Sequence, residues 1–157
     1  MLLRARSGNK MTDGGAIDDT WALAPVERNL VMLKTRANRL GFAILLTFFR
    51  ERGRFPRDEE VIEPQGIAAL SKQLGVPVPT EGEVFLTERT AERLRAEIRI
   101  HFGFREATVA DAEMLTVWLR DHVAGETGGD IEPIIERLEL RCLELSIEPP
   151  TDERMER

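Results

Sequence analysis

From Pro25 onward, apolar residues recur at intervals of three and four. Val26, Leu30, Leu33 and Ala37 form one run, and Leu40, Ala43, Ile44, Leu46 and Phe48 form a second. That spacing is the period of an α-helix and predicts two helices or one bent one. Gly53 and Pro56 end the pattern, because glycine leaves a helix cheaply and the residue before a proline avoids the helical well. Pro64 then opens a short helix over 65–74, which Gly75 and Pro77 stop. Thr87-Glu88-Arg89-Thr90 starts the next, with Ala91, Leu94, Ile98 and Phe102 on one stripe and Gly103 as its terminator. Thr108 begins another, with Asp111 as acidic partner for the first free amides and Ala112, Leu115, Leu119 and Val123 on its buried side. After the turn 125–129, Asp130 is expected to cap a last helix over 131–147, which Pro149-Pro150 would end.

The reading is all-α, with about six helices in two three-helix units and no internal repeat. Residues 1–20 carry no apolar period and read as a disordered leader, within which Met11 offers a second possible start. The richest proline-glycine stretch, Val76 to Leu86, is taken as an internal boundary, giving a first helical unit over 21–80 and a second over 81–157.

Composition supports this class. The 157 residues are 42% hydrophobic and 32% charged, with 6% aromatic residues and no tyrosine, which suits a helical protein better than a β-sandwich. A chain of this length buries roughly 70% of the surface that its unfolded form exposes, enough for a core without staples. The single cysteine, Cys142, lies in an apolar-periodic stretch and is expected to be a buried, inert thiol in a reducing cytoplasm. No stretch has the roughly 18 consecutive apolar residues of a membrane span, nor the apolar core of an export signal.

Net charge is −6, which by itself argues against nucleic acid. The sign is segregated, however. Between Arg28 and Arg57, eight cations stand against Glu51 alone, a net of +7. Between Glu106 and Glu136, eight carboxylates stand against Arg120 alone, a net of −7. One part of the chain suits a polyanion and another does not.

Constellations for catalysis are missing. His101 and His122 share no ligand spacing with each other or with Cys142. The glycines of 125–129 lack both the lysine of a phosphate-binding loop and the strand of a dinucleotide fingerprint. The carboxylates from Glu106 onward are expected on hydrated helix faces, so no acid/base pair, metal or cofactor is assigned. The arginines carry more. On the helix beginning at Thr87, Arg89 and Arg93 are four residues apart and project opposite the apolar stripe, while Arg95 and Arg99 flank it. Guanidinium forks match phosphate oxygens and the acceptor edge of guanine, and pairing with Glu88, Glu92 or Glu97 is the alternative use of these cations. Arg50, Arg52, Arg54 and Arg57 form a second cluster with one glutamate to neutralise it. Phe48 and Phe49 read as core, Trp118 as completing the core beside its helix, and Trp21 as packing on the first helix.

Trp21-Ala22-Leu23 with Glu27, then Lys34, Arg39-Leu40-Gly41-Phe42-Ala43 and Gly53-Arg54-Phe55-Pro56, resembles the opening of a known family. The order continues through Gln73-Leu74-Gly75, Arg89-Thr90, Arg93, Arg95, Glu97-Ile98-Arg99 and Gly103-Phe104-Arg105-Glu106, to Trp118-Leu119 and Ile147-Glu148-Pro149-Pro150. From about Ile17 to its end, the chain resembles the N-terminal, end-recognising DNA-binding region of Tn-three-type transposases. The resemblance implies helix-turn-helix-like units that recognise the inverted repeats of transposon ends. It makes Lys34, Arg39, Arg54, Arg89, Arg93, Arg95, Arg99 and Arg105 candidate DNA contacts, whereas Gly41, Phe42, Phe55, Gly103 and Phe104 read as turn and core elements. Leu94 departs from the family, which is expected to favour histidine there. The catalytic domain is expected beyond Arg157, so the resemblance implies a binding region and not an enzyme. The partners expected are double-stranded inverted-repeat DNA and a full-length transposase, with no membrane; the alternative reading is a helical module that binds or inhibits such a transposase.

Overall fold

A computed structural model describes residues 19–58, 60–80, 83, 85–123, 125, 128 and 130–150. All but the last two residues of the expected leader, and parts of the 125–129 turn, lie outside them. The described chain is all-α. A 3-10 turn at Asp19–Trp21 precedes α1 (Pro25–Met32), α2 (Arg36–Arg52), α3 (Pro64–Leu74), α4 (Glu88–Phe102), α5 (Val109–His122) and α6 (Ile131–Glu144). Two-residue strands β1 (Arg105–Glu106) and β2 (Ile147–Glu148) pair in parallel, Arg105 opposite Ile147. The described residues form two compact units, one reaching Glu51 and resuming over Phe55–Ile98, the other comprising Arg52–Arg54 and the chain from Arg99. The described residues of 76–86 lie within the first.

The first unit is organised around α2. Its residues from Leu40 to Thr47, together with Phe49, are all buried, as expected of a helix with neighbours on every side. Thr47 is tolerated there because its hydroxyl donates back to the Ala43 carbonyl at 2.8 Å. Gly41 serves this packing and not a turn: a Cβ at that position would lie 2.5 Å from Leu86 Cγ. The α1 stripe read from spacing is corrected. Val26 and Leu33 are 62% and 79% exposed, and the inward positions are Val31 and Glu27. The helix lasts only eight residues, so Ala37 falls in α2, and Glu27 can face inward because Arg50 neutralises it. Trp21 packs on α3. A Cβ on Gly66 would lie 2.3 Å from the indole, and the indole N–H donates to Glu63 at 3.4 Å. The amide of Gln73 secures the same segment, donating to the Trp21 carbonyl at 2.8 Å and accepting from the Leu23 N–H at 3.0 Å.

In the second unit α5 and α6 enclose Leu115, Leu138 and Cys142, with Leu119 and Leu145 against them. Thr108 caps α5 as the sequence predicts, accepting the Asp111 N–H at 3.2 Å. Asp130 occupies the N-cap of α6, but its side chain makes no capping bond, leaving only the favourable field of the helix amides. The end of α6 comes earlier than expected. Leu145 closes it and Ser146 takes a left-handed φ of 54°, which turns Ile147 and Glu148 out of the helix to pair with β1. Trp118 is half-buried, stacked on His122 at 5.5 Å with the Arg141 guanidinium 5.5 Å from its ring centre. Burial pushes the Cys142 thiol up to about 11, helped by the Glu139 and Asp111 carboxylates, so it is an inert core residue.

Candidate nucleic-acid interface

The α4 sequence gives the helix an inner and an outer side. Thr87 accepts the Thr90 N–H at 3.4 Å and starts the helix, while Ala91, Leu94 and Ile98 are almost fully buried. Leu94, which stands where the related family is expected to have histidine, is therefore a core residue. On one flank Glu97 pairs with Lys34, whose ammonium also lies 4.9 Å from the Phe42 ring centre. On the other, the Arg95 guanidinium lies 5.8 Å from the ring centre of Phe55. At about 100° per residue, the direction opposite the buried stripe falls on Arg89, Ala96 and Ile100, the last 80% exposed, with Arg93 and Glu92 on either side of it. Arg89, Glu92 and Arg93 are exposed, and among the described residues none of the three forms an ion pair. Arg28 on α1 and Arg36 at the start of α2, counted in the basic segment but not singled out from sequence, are likewise exposed and unpaired among the described residues.

Other basic positions are committed to holding the fold. Arg39 donates to the carbonyls of Lys34 at 3.1 Å and Met32 at 3.2 Å, closing the turn between α1 and α2. Arg50 donates to buried Glu27 at 2.6 Å and to the carbonyls of Thr20 and Ala22 at 2.5 and 3.1 Å. Arg54, only 6% exposed, donates to Glu139 at 2.8 Å. Arg99 holds Glu148 at 2.8 Å and Glu106 at 3.1 Å beside the strand pair. Arg57 is half-buried and its backbone N–H donates to Glu60 at 2.7 Å, while Arg52 is exposed. The cluster read as one group is divided, with Arg50 and Arg57 in the first unit and Arg52 and Arg54 in the second.

Arg105 makes a forked bond to both oxygens of Asp111, at 2.6 and 2.8 Å, although its side chain remains 56% exposed. Asp111 also accepts from the Thr108 N–H and hydroxyl at 2.8 and 2.7 Å. The Arg105 guanidinium, followed by these two donors, holds the Asp111 carboxyl well below the usual carboxylate range. Asp111 thus departs from the hydrated position expected of the acidic segment: it is buried because it completes the start of α5.

Spacing could not reveal which arginines were left over. Arg93 and Glu97 stand four apart and could pair along the helix. The fold instead gives Glu97 to Lys34, 63 residues away, and leaves Arg93 uncommitted.

The family model described as Domain of unknown function (DUF4158) matches residues 10–157. The chain belongs to the DUF4158 family. Over 87 residues it is also 32% identical to the "Transposase for transposon Tn3926" of Escherichia coli, an overlap of 54% of this chain and 9% of that protein. The motif resemblance to Tn-three-type transposases therefore stands, and this DUF4158 chain is a transposase-related region spanning a small fraction of its relative's length. No described helix is long and apolar enough to cross a membrane. Among the described residues, no group of three or more His, Cys, Asp or Glu side chains is arranged to hold a metal ion.

Proposed function

We propose that this DUF4158 region binds double-stranded DNA, recognising the terminal inverted repeats of a transposon as the end-binding part of a transposase. The observation that carries the reading is α4, a helix whose inner side and flanks are occupied and whose outer side offers Arg89 and Arg93 one turn apart. A major groove about 12 Å wide admits a helix, and guanidinium groups on its leading face reach phosphate and guanine. Exposed Arg28 and Arg36 add cations for the sugar-phosphate backbone. The relation to a protein named as a transposase supplies the biological setting. The role is recognition; no bond-breaking step is assigned to these residues.

The test is a gel shift of the intact chain with a duplex carrying the repeats that flank its gene, against a scrambled duplex, across a salt series. Specific retention that falls steeply with salt is expected, because phosphate contacts release counterions. Replacing both Arg89 and Arg93 with alanine should cost at least tenfold in affinity, with the melting temperature nearly unchanged, since exposed substitutions usually stay within about 0.5 kcal/mol. Equal binding to both duplexes, or full binding by the double variant, would overturn the proposal. If the parent chain ignores DNA but captures a full-length transposase, the protein-interaction reading replaces it.

A further inference from the structure

Resting on that DNA-binding reading, we propose that Glu92 reads bases: beside Arg89 and Arg93 on the outer face of α4, it accepts from a cytosine N4 amino group while the arginines donate to guanine.

Three observations carry this. The rotation of α4 is fixed from within its own unit, because Ala91 and Leu94 are buried, Glu97 is tied to Lys34 and Arg95 covers Phe55. Glu92 therefore shares the outward side with the two arginines. Although it is next to Arg93 and three residues from Arg89, it pairs with neither, so its carboxylate and their guanidinium groups all remain available. One turn beyond Glu92, Ala96 has no side chain past Cβ, which lets the helix backbone approach a groove floor closely.

The chemistry then selects the ligand. A carboxylate brought against phosphates is repelled, so at a DNA-binding face it lowers affinity for random sequence. Facing a base edge, it can accept from the amino group that cytosine presents in the major groove, where thymine presents an acceptor and a methyl group. Guanine, the partner of cytosine, offers the two acceptors that an arginine fork matches. An Arg-Glu-Arg face therefore favours G·C pairs and penalises T at the Glu92 position.

The experiment uses the intact chain and a library of randomised duplexes, with selection run in parallel on the parent, Glu92→Gln and Glu92→Ala. The parent should enrich a motif containing a G·C pair, and both variants should lose the preference for cytosine at one position of it. Discrimination of that cytosine against thymine should fall roughly tenfold in direct binding, a change of about 1.4 kcal/mol. Affinity of Glu92→Ala for unselected duplex should rise at the same time, which a purely structural role would not produce. If all three proteins enrich the same motif with the same weights, Glu92 is a hydrated surface residue and the inference fails while the DNA-binding reading survives. If the parent enriches no motif, both fall. Unchanged melting temperatures confirm that the variants report on binding.

Discussion

Replacing Arg50 with alanine separates a structural arginine from a DNA contact, because sequence grouped it with the basic cluster whereas the fold buries its partner. Arg50 Nη1 lies 2.6 Å from Glu27 Oε2, and the two side chains are only 22% and 6% exposed. Breaking a buried pair by removing one partner costs about 3–5 kcal/mol, since the remaining charge loses its neutraliser. Two features bear on the magnitude here. Glu27 keeps one donor, the Ala24 N–H at 2.9 Å, which reduces the cost. The carbonyls of Thr20 and Ala22 also lose this donor, but both residues are only half-buried, which limits the added cost. The lower end, about 3 kcal/mol, is expected, and for a chain of this size that lowers the melting temperature by roughly 10 °C. Urea and thermal unfolding measure it, with DNA binding assayed well below both midpoints so that only folded protein is compared. A Glu27→Leu, Arg50→Met double variant should be less damaged than Arg50→Ala, because the uncompensated charge is gone. Unchanged stability of Arg50→Ala together with lost DNA affinity would refute the reasoning and return Arg50 to the contact surface.

Gly66→Ala should destabilise the first unit by about 1–3 kcal/mol in urea unfolding, because the new Cβ would fall 2.3 Å from the Trp21 indole and one of the two must move. A variant as stable as the parent would show that the indole is not seated there. For pH, the folded Asp111 carboxyl titrates below its unfolded value, so its contribution is fully present above the ordinary carboxylate range, falls progressively as pH drops through that range, and is gone once pH has passed the depressed folded value. The parent should therefore lose stability relative to Asp111→Asn in strongly acidic solution, and retain its advantage at neutral pH. Melting curves of the two proteins that stay parallel from neutral to strongly acidic pH would contradict the assignment.

Periodicity was enough to predict most helix positions, because a helix that must bury one side repeats its apolar residues every three to four positions whatever it packs against. The starts and stops near Pro64, Gly75, Thr87, Gly103 and Thr108 were legible for the same local reason, since caps and terminators act within one turn. Short α1 escaped that logic. Its inward residues are Val31 and Glu27, and the second is tolerable because Arg50, 23 positions away, neutralises it. The candidate interface shows the division most clearly. Residue type and spacing could place Arg89, Arg93, Arg95 and Arg99 on one helix, and could not say which of them remained free to meet a ligand. Tertiary structure decided that by giving Arg99 to Glu148 and Arg54 to Glu139, laying Arg95 over Phe55, and taking Glu97 for Lys34. Each of these contacts except Arg95 to Phe55 pairs opposite charges far apart in the chain. Charges attract whichever neighbour the fold brings near, so one-dimensional spacing determines which side of a helix a cation occupies, but only the folded chain determines whether that cation is already spent.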